Sequence, residues 1–135
     1  MIYLASPYTH DDPAIKHSRY RQASLCTAHF ARIGISIFSP IHYGHTLSTM
    51  HERIPHTHEY WMTVCLPILR GAERIYVLTI PGWKESKGIR DELDEGEKLE
   101  LPVVFVQPDF TVWATNYILL RGVMEMPHES TATQR

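Results

Sequence analysis

Arg74-Ile-Tyr-Val-Leu-Thr-Ile80 is a run of β-branched and aromatic residues without alternation. It reads as a strand buried on both faces, the kind that a parallel sheet covered by helices requires. Pro81-Gly82 then punctuates the chain, and Ser86 offers a side-chain oxygen where a helix can start. On that helix Ile89, Leu93, Gly96 and Leu99 recur at close to helical spacing and mark the inward stripe. Glu92 falls on the same stripe, whereas Asp91, Asp94, Glu95 and Glu97 mostly point elsewhere and suit a solvated face. A carboxylate on the core side, just after a parallel strand, lies where open α/β sheets place their ligand crevice. Its burial costs free energy unless the group is paired or used. Glu92 is therefore the first functional candidate.

Working outward, Ile2-Tyr3-Leu4-Ala5 reads as a short strand that Ser6-Pro7-Tyr8 turns away from. Asp11 or Asp12 can cap a helix from Pro13 to about Arg32, ended by Gly34. Ile35 to Ser39 is a second strand, and 40–55 reads as a long irregular segment, a kind of loop that is often functional. A helix spans His58 to Arg70, with a kink or early break expected at Pro67. After the central strand and helix come a fourth strand, Val103 to Val106, and a last helix from Asp109 through Leu120, with Gly122 near its end. Residues 1–123 then form a single domain and 124–135 a frayed tail. Four alternations of strand and helix predict an α/β fold: three layers around a doubly wound parallel sheet of four to five strands, flavodoxin- or Rossmann-like. The ligand crevice is expected at the strands' C-terminal ends.

Composition narrows the function classes. Thirteen Lys and Arg against fifteen Asp and Glu give a formal charge of −2, without the basic footprint of a nucleic-acid or anionic-membrane binder. No apolar run approaches a membrane span, and the Met1-Ile-Tyr-Leu start is unlike a signal peptide. Cys26 and Cys65 form no CxxC pair, which favours a reducing, cytoplasmic setting.

The opening Ile2-Tyr3-Leu4-Ala5-Ser6-Pro7-Tyr8, the Phe38-Ser39-Pro40 strand exit and Pro81-Gly82-Trp83-x-x-Ser86-x-Gly88-x-x-x-Glu92 resemble the nucleoside 2-deoxyribosyltransferase-like proteins, especially short phage and bacterial members. Relatives in that superfamily include deoxynucleoside 5′-monophosphate N-glycosidases. The resemblance covers about residues 1–106. It implies Glu92 as the nucleophile that captures C1′ of an oxocarbenium-like transition state, with Tyr3 orienting it. It also implies a 5′-phosphate subsite at Ser86, six residues before Glu92, beside Gly88 and a helix N-terminus, with Arg19 as a further donor. Ser6, Tyr8 and His45 would complete the substrate pocket. A homodimer or higher homo-oligomer is implied, and no cofactor is.

One position departs from that pattern. Superfamily members commonly carry an aspartate on the helix before the central strand, and the matching position here is Cys65. A thiol is a weak donor and cannot replace the carboxylate's charge or its paired acceptors. Glu59, His45 and Asp91 are the alternative acids. His42, His45, His51, His56 and His58 crowd together, but their spacing matches no closed zinc pattern and no metal is expected. Trp83 either covers the pocket or packs beside the strand exit. The expected function is N-glycosidic cleavage of a nucleotide or nucleoside. The alternative is a non-catalytic nucleotide-binding protein of the same fold that has lost the family's acid.

Overall fold

The computed structural model describes residues 1–115. It contains strands β1 (Ile2–Ala5), β2 (Ile37–Phe38), β3 (Arg74–Leu78), β4 (Val103–Val106) and β5 (Val112–Thr115). Helices α1 (Pro13–Arg32), α2 (Pro40–Met50), α3 (His58–Arg70) and α4 (Lys87–Lys98) alternate with them. The sheet order is β2-β1-β3-β4-β5. The first four strands are mutually parallel, and β5 runs antiparallel to β4 at one edge. The fold is thus the expected α/β sandwich.

Strand alternation divides the core in two. Tyr3, Ala5, Ile75, Val77, Val103 and Phe105 face α3 and α4, where Cys65, Leu69, Ile89 and Leu93 pack on them. Leu4, Tyr76, Leu78, Val104 and Val106 face the other way, onto Cys26 and Phe30 of α1. The central strand is apolar on both faces because both faces are covered. The chain order reverses direction between β1 and β3, and in such sheets the ligand crevice opens outside the carboxyl ends at that point.

Three expectations need correction. Residues 40–55 are not one irregular segment: Pro40–Met50 is helix α2, and the irregular stretch begins at His51. Ser39 caps α2 by accepting from the His42 N–H at 3.0 Å, and Pro40 occupies the first turn, where its missing N–H costs nothing. Gly44 and the β-branched Thr46 and Thr49 hide this helix in the sequence. Tertiary packing restores it, since buried Gly44 lies against the Trp61 ring, within 3.4 Å of where a Cβ would stand. The second strand, expected over 35–39, pairs only as Ile37–Phe38. Asp109 caps no helix within the described residues. Its carboxylate accepts from Thr111 N–H two residues on, closing a turn from which β5 returns along β4. Leu120, Gly122 and the expected tail lie outside the described residues. Helix α3 runs through Pro67 to Arg70, with Pro67 on its exposed side, where solvent can take the Thr63 carbonyl that the ring leaves unbonded.

Candidate active site

A cleft of about 910 Å³ opens at the carboxyl ends of β1 and β3, a size suited to a small organic ligand. Its walls come from the β1 exit loop, α1, α2, α3, the β3 exit and the start of α4. Tyr3, Ser6, Tyr8, Arg19, His45, Cys65, Ser86, Gly88 and Glu92 all line it, so segments far apart in the chain do meet.

Tyr3 and Glu92 form its floor. Tyr3 is fully buried on β1 and Glu92 nearly so in the second turn of α4. The Tyr3 hydroxyl is hydrogen-bonded to the Glu92 carboxyl and to the Cys65 thiol. The hydroxyl serves both partners as a donor, since its bond lowers the Glu92 carboxyl and the Cys65 thiol alike. Burial pushes the Glu92 carboxyl up to about 8; the Tyr3 bond opposes this and the nearby Asp91 charge adds to it. Tyr3 itself is driven far above the usual phenol range, by burial first and then by Glu92. Burial also takes Cys65 up to about 12, so at neutral pH it is a protonated thiol and no nucleophile.

Ser6 adds a second buried polar group. Its hydroxyl lies where β1 leaves the sheet, 4% exposed, and bonds to no protein group. An unmet buried hydroxyl costs about 1–3 kcal/mol, which a ligand atom in the cleft would recover.

The α4 N-terminus forms one wall. Ser86 caps it by accepting from Ile89 N–H at 3.2 Å, which leaves the hydroxyl proton free to donate. The first helical N–H groups have no intrahelical acceptor and favour an anion. At Gly88 a Cβ would stand 3.8 Å from the Ser86 oxygen, so glycine relieves no clash there and instead leaves the wall low. His58, bonded to Asp91 at 2.7 Å, stands beside this wall.

Arg19 fastens the mouth. Its guanidinium donates to the Thr9 carbonyl at 2.8 Å and the Pro81 carbonyl at 3.3 Å, joining the β1 and β3 exit loops. Gly82, at φ 96°, passes so close that a Cβ would collide with that guanidinium.

On the opposite wall the Tyr8 hydroxyl and His45 Nδ1 are 2.6 Å apart. The His45 ring stacks on Tyr20 at 3.8 Å and 21°. Tyr20 was not legible as a site neighbour, although Lys16, Arg19 and Tyr20 share one helical face and the first two line the cleft. Glu59 and Asp91 stay out of the cleft: both border a shallow groove between α3 and α4, and Asp91 is engaged by His58 and Lys87. Trp83 packs edge-on to Phe105 in the core beside the strand exit and does not cover the pocket. Of the clustered histidines, His42 and His45 pair with hydroxyls and the Tyr20 ring, His51 accepts from the Arg53 N–H and His58 bonds to Asp91, and no group of three or more His, Cys, Asp or Glu among the described residues could hold a metal ion. Among those residues, too, no helix is long and apolar enough to cross a membrane.

No curated protein matches the chain at a significant level. Residues 1–107, which carry the cleft almost entire, match the family described as Domain of unknown function (DUF1937), and the chain belongs to that family.

Proposed function

We propose that the protein cleaves the N-glycosidic bond of a nucleoside 5′-monophosphate or nucleoside, with Glu92 as nucleophile. The observation that carries this reading is the buried Glu92 carboxyl on the floor of a nucleotide-sized cleft, restrained by Tyr3. A carboxylate under C1′ captures the oxocarbenium-like carbon as the base departs. The positive charge that develops on the sugar ring as the base departs would favour the ionised form of Glu92 despite burial. The phosphate would meet the α4 N-terminus and Ser86, on the wall where Gly88 leaves room. The position of Cys65 favours one second reading, a nucleotide-binding protein without turnover, because a neutral thiol stands where the resemblance calls for an acid.

A panel of nucleosides and 5′-monophosphates, assayed for free base by chromatography, separates the two readings. Base release by the wild type and none by a folded Glu92→Gln protein is the expected result. Calorimetric binding without base release would select the binding protein. Ser86→Ala should weaken 5′-monophosphates about 10-fold while sparing the matching nucleosides, since one charge-assisted hydrogen bond is removed. Equal weakening of both would remove the phosphate from that wall.

A further inference from the structure

We propose that Tyr8 and His45 act as one proton-donating pair for the departing base, in place of the acid that Cys65 does not supply. This rests on the N-glycosidic reading above and names the one group that reading leaves open. When the C1′–N bond breaks, its electron pair stays on the base nitrogen, and that nitrogen wants a proton.

The cleft offers few sources. Cys65 is spent on Tyr3 and holds its proton tightly. Glu59 and Asp91 border a different groove. His58 is held by Asp91 beside Gly88, at the end assigned to phosphate. His10, His56 and Glu85 also line it but are exposed to solvent, whereas Tyr8 and His45 are fixed against each other in the wall made by the β1 exit loop and α2. Their 2.6 Å contact takes one proton between the phenol oxygen and Nδ1. In the protonated pair Nδ1 gives its proton to that contact, which leaves the phenol proton and the Nε2 proton to be offered to a ligand. The ring cannot swing away, because Tyr20 stacks on its face and is itself bonded to Thr46 at 3.2 Å. Such immobilisation by neighbours is what a group needs to meet a proton acceptor in one geometry.

The step balances. The imidazolium form gives its proton to the base as C1′–N breaks and Glu92 bonds to C1′. The pair is then neutral, takes a proton from the incoming water as its oxygen bonds to C1′, and Glu92 is released as carboxylate. Lys16, His17 and His42 stand near the pair, and burial together with their charge lowers His45 below its ordinary value. A lowered imidazolium is the stronger acid, and Tyr8, raised by burial, keeps its own proton.

The test compares two leaving groups in the full-length chain. One substrate is the ordinary 5′-monophosphate that the wild type cleaves fastest. The other is an N7-methylguanine 5′-monophosphate, whose base already carries positive charge and leaves neutral without a proton. His45→Ala, shown folded by circular dichroism, should lose about 10²–10⁴-fold in kcat/KM on the first and under 3-fold on the second. Tyr8→Phe should lose less on the first, and again little on the second. Above pH 8 the wild-type rate should fall with rising pH for the ordinary nucleotide only. Equal losses on both substrates, or the same alkaline profile for both, would overturn the pair as acid and leave Glu92 chemistry standing. Loss of both substrates in Glu92→Gln alone, with His45→Ala active on each, would do the same. A wild type that releases base from neither substrate would overturn the glycosidic reading and the pair with it.

Discussion

At the scale of single residues the cleft floor is three side chains sharing one hydroxyl. The Tyr3 hydroxyl is bonded to the Glu92 carboxyl and to the Cys65 sulfur. Tyr3→Phe removes a hydrogen bond to a group that must be charged, worth about 1.5–3 kcal/mol, so turnover should drop about 10–100-fold. A packing defect alone would not move the Glu92 titration. Here it should move upward, because the Tyr3 bond is what opposes burial. Carboxyl NMR on the labelled protein reads this directly, and an unmoved Glu92 signal would reduce Tyr3 to core filler. Cys65→Ser, which keeps a small hydrogen-bonding atom beside Tyr3, should leave both measurements nearly unchanged. Cys65→Asp should place a second carboxyl against Glu92, so that the two compete for ionisation and the protein melts at lower temperature. Cys65 also lines the cleft, so base release measured beside the melt separates this expectation from the gain in turnover that an acid facing the ligand would bring.

Elements were legible where their signal is local. The all-apolar β3, the Ile89-Leu93-Gly96 stripe with Ser86 ahead of it, and the Asp12-Pro13 start of α1 each carry their own evidence within a few residues. Glu92 was legible for the same reason, by its place on a stripe, whereas Tyr3 was singled out only through the family that its strand resembles. Helix α2 was not, because what holds it is Gly44 against Trp61, a contact between elements that no window of sequence contains. The pairing of Tyr8 with His45 was hidden with it, since His45 faces the cleft only once residues 40–50 are helical. Strand β5 depends on β4 as its partner, and Asp109 signals a turn and a helix cap equally well. Packing on α4 is tight enough to test. A Cβ on Gly96 would collide with Ile75 Cδ1 at the centre of the sheet. Gly96→Ala should therefore destabilise by about 1–3 kcal/mol through overpacking, despite the better helix propensity of alanine. Pairing it with Ile75→Val, which withdraws that methyl, should restore part of the loss; failure to do so in urea melts would place the strain elsewhere.

For the molecule as a whole, Glu92 sets stability against chemistry. Its ordinary value is 4.5, and in the folded chain it is about 8. Between those values the folded protein holds a proton that the unfolded chain releases, so stability is fullest below about pH 4.5 and is lost as pH rises through 8. The other resolved shifts act outside the upper part of that window. His45 is lowered, so its contribution rises with pH and is complete once the unfolded imidazole is neutral near 7. Asp91 is lowered by His58 and Lys87 against the pull of burial, Glu73 by the chain's amino terminus and Asp109 by Thr111, and these lose their effect only in acid. Cys26 and Cys65, raised by burial, begin to cost stability above the ordinary thiol value of 9.0. Urea unfolding at pH 7 and pH 8.5 therefore isolates the carboxyl. Wild type should be less stable at pH 8.5 by about 1 kcal/mol, the loss expected across most of one pH unit below the transition. Glu92→Gln, neutral at both, should show no such loss and should exceed the wild type at pH 8.5. A Glu92→Gln protein that declines in parallel with the wild type would mean that the carboxyl is already ionised in the fold. The cleft would then hold a standing negative charge before any ligand enters it.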